Sequence, residues 1–231
     1  MEEEGRKQDA RLDVGAWMDE MADKLAARFG GRLSFVGLQG SRARGEASDE
    51  SDIDVVVVID RLTFSDLAEY REIARGMPHQ EKACGFISGG EELANWPKSD
   101  LLQFSRETIP WHGSLANILP PLEDRDVREG VRAGAANLYH AAVHAYVHSP
   151  EAERVPVLRE LYKTAFFVLQ AQRFLETGDY IPRRGELYAA LTEDRREILG
   201  ASMKRGSFTH ADSDALFAQL IEWCRETLKT L

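Results

Sequence analysis

Residues 38–55 read LQGSRARGEASDESDIDV and lead directly into the run VVVI at 56–59. The β-branched residues after Asp54 predict a strand that is covered on both faces. Residues two apart on a strand project from one face, so the carboxylates of Asp52 and Asp54 are expected side by side. Two such carboxylates repel each other unless a cation lies between them. Because Mg²⁺ typically takes one or two carboxylates together with substrate phosphates, this spacing predicts a magnesium site.

Gly40 and Ser41 follow a short predicted strand at 33–38 and begin a short helix. The N–H groups at the start of a helix favour an anion, and glycine lets the backbone approach a ligand closely. A Gly-Ser turn or an Asp-x-Asp alone is common in structural turns and strand ends, but their combination before a β-branched strand favours a phosphate site beside the metal. Arg42 and Arg44 follow the turn and are candidates to bind the same phosphates.

The rest of the chain divides into two halves by its periodicity. Helical spacing at 12–29 and 64–77 and a third strand at 82–87 predict a mixed α/β half, whereas 91–124 reads as irregular. The second half predicts four helices, at 127–148, 157–176, 186–199 and 212–231. We therefore expect an α+β protein, with a catalytic domain of mixed sheet and helices at 1–122 and an all-helical bundle at 123–231.

Composition narrows the possible partners and the compartment. The 231 residues carry a net charge of −10, with 14 basic and 24 acidic side chains in residues 1–124, which disfavours binding to duplex DNA or to an anionic membrane. The two cysteines, 140 positions apart, exclude a disulfide framework or a zinc ribbon. Residues 1–13 are charged and no run of 18 apolar residues occurs, so we expect no secretory signal, no membrane span and a cytoplasmic location.

The Gly40-Ser41 pair, ten residues and then Asp52-Ile-Asp-Val55 resemble the signature of the DNA polymerase β-like nucleotidyltransferase superfamily, in particular of its small bacterial members. The resemblance implies transfer of a nucleoside monophosphate, most often AMP from ATP, to a hydroxyl or another acceptor. Asp52 and Asp54 would then hold two Mg²⁺ ions. In such a site one ion activates the attacking oxygen and the other stabilises the leaving pyrophosphate.

The layout, an α/β half followed by a helical half, is similar to that of the aminoglycoside adenylyltransferases, whose helical half helps to bind nucleotide and acceptor. Lys163 and Arg184 resemble basic positions that reach the triphosphate in that group. A lysine within an apolar helix must either extend to water or meet an anion, so simple solvation is the alternative for both residues. The acidic first half would suit a cationic acceptor such as an aminoglycoside.

Three histidines, at 140, 144 and 148, share one face of a predicted helix. Histidines four apart can bind zinc, but no cysteine or glutamate cluster accompanies them. We therefore interpret His140 and His144 either as part of a half-buried helix face or as cleft residues that meet the acceptor. The expected partners are a nucleoside triphosphate and a small-molecule acceptor, while the oligomeric state stays open.

The superfamily normally has a third carboxylate on the next strand, often the general base, but here that position falls near Cys84 or Gly85. Glu81 is our candidate for this catalytic role. The other acids within reach in the sequence are Glu91, Glu92, Asp100 and Glu107. Without a base, magnesium itself could activate the acceptor. The alternative is a catalytically silent nucleotide-binding or antitoxin-like regulatory module, and transfer to RNA ends is disfavoured by the negative charge.

Overall fold

The computed structural model describes residues 12–231. Most of residues 1–13, where we expect no secretory signal, lies outside the described residues. The chain forms two compact units. The first contains residues up to 94 together with 108–118, and the second contains 95–107 together with 119–231. The predicted domain division at 122 and 123 stays a prediction.

The first unit contains a four-stranded mixed sheet. Its strands are β1 (Leu33–Gln39), β2 (Ile53–Ile59), β3 (Ala83–Ser88) and β4 (Ile109–Gly113), arranged in the order β3-β2-β1-β4. β1 pairs antiparallel with β2 and β4, whereas β3 pairs parallel with β2. The strand predicted from the β-branched run is therefore an interior strand, and six of its seven residues are buried.

Two helices cover one face of this sheet. Helix α1 (Val14–Phe29) begins after Asp13, whose carboxylate accepts a hydrogen bond from the N–H of Ala16. Helix α3 (Phe64–Arg75) follows Thr63, which forms a capping box with Asp66, and it confirms the helix predicted from the spacing at 64–77. Buried side chains of α1 and alternate residues of β1 and β2 form a single apolar core. Alternation along the strands therefore leaves Asp54 on the opposite face.

The segment 91–124 is not irregular, so that prediction was wrong. It contains α4 (Gly90–Ala94), α5 (Lys98–Glu107) and the strand β4. β4 escapes sequence reading because all five of its residues are exposed and one is Pro110, so it shows no apolar alternation. Proline lacks a backbone N–H and is tolerated at a sheet edge, where β4 lies.

The second unit is helical and confirms the predicted α+β class. After α5 it contains α6 (Asp124–His148), α7 (Glu151–Thr177), α8 (Arg184–Ala190), α9 (Glu193–Met203) and α10 (Ser213–Thr230). Their apolar faces form one core that includes the buried Tyr162, Phe166 and Phe217.

Two helix boundaries in this unit differ from expectation. The single helix predicted at 186–199 is two helices, because the chain leaves helical geometry at Leu191 and restarts after Thr192. Helix α7 starts six residues before Val157 and contains Pro156 as its sixth residue. Because proline has no backbone N–H, the helix lacks the bond that residue 156 would otherwise donate to the carbonyl of Ala152. Among the described residues, no helix is both long enough and apolar enough to cross a membrane.

Candidate functional site

The sheet brings four side chains into one row at the end of β1. Gln39 lies opposite Asp54 in the antiparallel ladder, and Cys84 lies beside Asp54 in the parallel ladder. Paired residues project to the same face of a sheet. On the other side, the Gln39 amide donates a 2.6 Å hydrogen bond to the Thr108 hydroxyl, immediately before β4. These residues form a row that consists of Thr108, Gln39, Asp54 and Cys84. It crosses β1, β2 and β3 and ends at the residue that precedes β4.

The Gly-Ser turn lies directly against this row. Helix α2 (Gly40–Arg44) follows β1 without a linker, and Gly40 has a φ of 73°. A Cβ atom at this position would overlap with Oδ2 of Asp54 and lie 2.7 Å from its Cγ. Glycine is therefore required twice at residue 40, for the left-handed backbone and for the close approach of the carboxylate. The structure thus brings Gly40 and the Asp54 carboxylate together, and Ser41 follows Gly40 in α2.

Arg42 binds the loop that precedes β2. Its Nε donates to the carbonyl of Asp52 at 2.9 Å, and its Nη2 donates to the carbonyl of Ser51 at 2.6 Å. The same loop is closed by a turn in which the N–H of Ser48 donates to the Ser51 hydroxyl at 2.9 Å. On the other side, Lys82 donates to the carbonyl of Asp49. Asp52 itself is exposed and immediately precedes the strand.

Arg44 differs from Arg42 in its surroundings. It is buried, with 8% of its surface exposed, and its Nε lies 3.3 Å from Oε2 of Glu46. The backbone turns away at Gly45, which has a left-handed conformation and ends α2. The phosphate-binding role of Arg42 and Arg44 stays a prediction, and both side chains already have protein partners.

The third carboxylate does not occupy the expected strand position. Cys84 pairs with Asp54, and Gly85 approaches β2 so closely that a Cβ atom would lie 2.7 Å from the backbone nitrogen of Val55. Glu81 lies one turn earlier, in the short 3-10 helix before β3, with 66% of its side chain exposed and His79 Nδ1 at 3.7 Å. Within residues 12–231, no three acids, histidines or cysteines group as a metal site.

The other candidate acids are scattered over the following elements. Glu91 and Glu92 lie in the first turn of α4, and Asp100 lies in the first turn of α5. Glu107 is buried at the end of α5, where its Oε1 accepts hydrogen bonds from Gln170 at 2.9 Å and from Tyr180 at 2.7 Å. The identity of a general base stays a prediction.

The predicted nucleotide ligands of the second unit lie on α7 and at the start of α8. The Lys163 side chain is 51% exposed and its Nζ lies 3.7 Å from Glu160. The Arg184 guanidinium stacks over the buried Phe166 ring at 4.2 Å from its centroid. Lys163 therefore extends to the surface, whereas Arg184 rests on the core.

The histidines lie on one face of α6, as the spacing predicts, and all three are exposed. The ring centroids of His140 and His144 are 6.1 Å apart, and those of His144 and His148 are 5.0 Å apart. Among the residues with described positions, no metal-binding group includes them, so nothing favours the zinc alternative. Their contact with an acceptor stays a prediction.

Two members of the row escaped the sequence reasoning. Gln39 could have been recognised, because it lies between the predicted strand at 33–38 and the glycine of the turn. Thr108 could not have been recognised, because β4, which follows it, carries no alternating pattern. Its hydrogen bond to Gln39 also spans 69 positions of the chain.

Comparisons with known proteins agree with this geometry. Residues 18–107 match the family model described as a nucleotidyltransferase domain, a segment that contains the Gly40 turn and both aspartates. Among solved structures, the chain is similar to the spectinomycin adenyltransferase AAD(9) from Enterococcus faecialis, determined with ATP and spectinomycin. The two share 15% identity, with a TM-score of 0.55 over 93% of this chain and 99% of that chain. The comparison with curated proteins gave no match.

These findings confirm the predicted resemblance to nucleotidyltransferases, because residues 18–107 match a domain of this type, and the match supports an enzyme of this type. At 15% identity the structural likeness shows a shared fold, which extends over both units of the chain.

Proposed function

We propose that this chain transfers AMP from ATP to a hydroxyl of a small-molecule acceptor. The observation that carries the proposal is the contact between the Gly40 turn and the Asp54 carboxylate. A phosphate held at the turn would lie beside the carboxylate pair. This is the arrangement that nucleotidyl transfer needs, because a metal must contact the phosphates while the protein holds the metal.

The residues at this end of the sheet fit magnesium. Asp52 and Asp54 offer hard oxygen ligands, and within the described residues no third acid completes a closed cage. Magnesium normally keeps several waters and takes one or two carboxylates with substrate phosphates, so two aspartates suffice. When bound, the metal supplies charge neutralisation and lowers the pKa of a coordinated hydroxyl. We expect two ions, both held by this pair.

The protein itself positions the nucleotide. The backbone N–H groups at the start of α2 are proposed to bind phosphate oxygens. The absent side chain at Gly40 leaves room for the Asp54 carboxylate. Lys163 and Arg184 are proposed to bind the triphosphate from the helical unit. Binding of this kind accelerates transfer mainly by alignment of acceptor, phosphorus and leaving group.

The acceptor is proposed to be a cationic small molecule of the aminoglycoside type. The excess of acidic residues in the first half favours a cation, and His140 and His144 are proposed to contact it. Glu81 is the proposed base, although its exposed position would require the acceptor to approach from the β3 side. A cytoplasmic location remains part of this proposal.

The test is transfer of label from [α-³²P]ATP with Mg²⁺ across a panel of aminoglycosides and simple alcohols. We expect one class of acceptor to become labelled, and Asp52→Asn and Asp54→Asn to reduce the rate by about a hundredfold or more. Asp60→Asn is the matched control, because the side chain of this aspartate is 47% exposed and its carboxylate forms an ion pair with the neighbouring Arg61. Its rate should equal that of the wild type.

Two results would contradict the proposal. Wild-type activity in either site variant would show that the metal lies elsewhere. Nucleotide binding without label on any acceptor would favour the catalytically silent, regulatory alternative.

A further inference from the structure

We infer that Arg42 is a positioning residue, which fixes the main chain of Asp52 instead of binding phosphate. This inference rests on the proposed function, because it concerns the aspartate pair that would hold the metal. It differs from what the sequence alone suggests, namely that an arginine after a Gly-Ser turn contacts the phosphate.

The geometry of the guanidinium supports this role. Its Nε and Nη2 donate to two consecutive carbonyl groups, those of Asp52 at 2.9 Å and Ser51 at 2.6 Å. A planar guanidinium has its donors in a fixed fork, so two bonds to adjacent carbonyls restrict both position and direction of the backbone. A lysine ammonium in the same place would make a single, freely rotating contact.

Asp52 needs such support because the sheet does not hold it. The ladder between β1 and β2 reaches as far as Gln39 and Asp54, and the ladder between β2 and β3 begins at Ile53. Asp54 is therefore fixed by pairing on both sides, whereas Asp52 is exposed and lies one residue before the strand. The two bonds from Arg42 take the place of the missing ladder contacts.

The same contact couples the two halves of the site. Arg42 lies in the five-residue helix that begins at Gly40, so its backbone moves with the turn that faces Asp54. The first residue of this short helix, Gly40, thus forms the proposed phosphate turn. Its third residue, Arg42, fixes Asp52, which is one of the two proposed metal ligands. Loss of the guanidinium should disturb the spacing of the two carboxylates while the turn itself remains.

The experiment separates metal binding from nucleotide binding in the full-length chain. The probes are Mn²⁺, measured by electron paramagnetic resonance with saturating α,β-methylene-ATP, and the same analogue alone in EDTA, measured by calorimetry. The variants are Arg42→Gln and Arg42→Lys. Arg71→Gln is the control, since Arg71 is 63% exposed on α3 and lies 3.7 Å from Glu72.

We expect both Arg42 variants to weaken Mn²⁺ binding by about tenfold or more, as loss of a partner that orients a metal ligand generally does. Affinity for the metal-free analogue should stay within about twofold of the wild type, and the control should match the wild type in both measurements. Weaker metal-free binding in Arg42→Gln that Arg42→Lys restores would overturn the inference, because it would show a phosphate contact.

Unchanged Mn²⁺ binding in both variants would overturn the inference and leave the proposed function intact. A wild type that binds neither Mn²⁺ nor the analogue would refute the proposed function and the inference with it. If Arg42→Gln does not fold, amide hydrogen exchange of the Arg42→Lys variant tests the positioning role. Faster exchange across residues 48–53 than in the wild type supports the positioning role, and equal exchange refutes it.

Discussion

Replacement of Gly40 by alanine tests the contact on which the site depends. An alanine there must adopt a φ of 73°, which costs about 1–2 kcal/mol for a residue with a Cβ. The new methyl group would also overlap with the Asp54 carboxylate, so either the carboxylate or the turn must shift. A displacement of about 1 Å at a reacting centre lowers the rate by about a hundredfold.

The chain offers a matched control at Gly178, where α7 ends. Its φ of 75° is nearly the same, but no atom lies within 4 Å of a Cβ built there. Gly178→Ala therefore carries the backbone strain without the steric overlap. We expect Gly178→Ala to lose about 1–2 kcal/mol of unfolding free energy and Gly40→Ala to lose at least as much, as measured by urea unfolding followed by circular dichroism.

Only Gly40→Ala should lose about a hundredfold in transfer of labelled AMP and bind Mn²⁺ more weakly. If Gly40→Ala transfers AMP as well as Gly178→Ala does, the turn does not control the carboxylate and the reasoning is refuted. An equal loss of activity in both variants would attribute the effect to strain, and the steric argument would then fail.

Two further predictions concern stability and thiol chemistry. Hydrogen bonds from Arg32 and Thr63 hold the pKa of Asp66 well below its usual range. Because the pKa is lowered in the folded state only, the ionised carboxylate should stabilise the protein above about pH 4, and this stabilisation should fall as the pH drops below that value. In urea titrations at pH 3–7, Asp66→Asn should therefore reduce the fall of the unfolding free energy towards acid pH. An unchanged dependence on pH in this variant would contradict the prediction. Burial raises the pKa of the Cys224 thiol to about 12, whereas Cys84 is exposed. A disulfide reagent at pH 8 should therefore modify only Cys84 of these two thiols in the native protein and both thiols in urea. Rapid modification of both native thiols would show that the α10 core opens.

The local elements of the first unit were predictable because their signals lie within a few residues. The run at 53–59 gives β2 its bounds, and Thr63 begins α3 through bonds to its own first turn. The segment 91–124 and the break at Leu191 were not predictable in the same way. β4 becomes a strand only because β1 offers it an edge, and its own residues are exposed.

The sequence by itself determined the turn at Gly40 and the position of Asp52 and Asp54 at the start of an interior strand. Both the Gly-Ser pair and the Asp-x-Asp pair depend on spacings of one or two residues. The tertiary structure decided that Cys84, and not Gly85, pairs with Asp54, that Thr108 bonds to Gln39, and that Arg42 holds the main chain of Asp52. Strand order and side-chain contacts join segments far apart in the chain. Their free energies depend on which surfaces meet, and no local pattern encodes that choice.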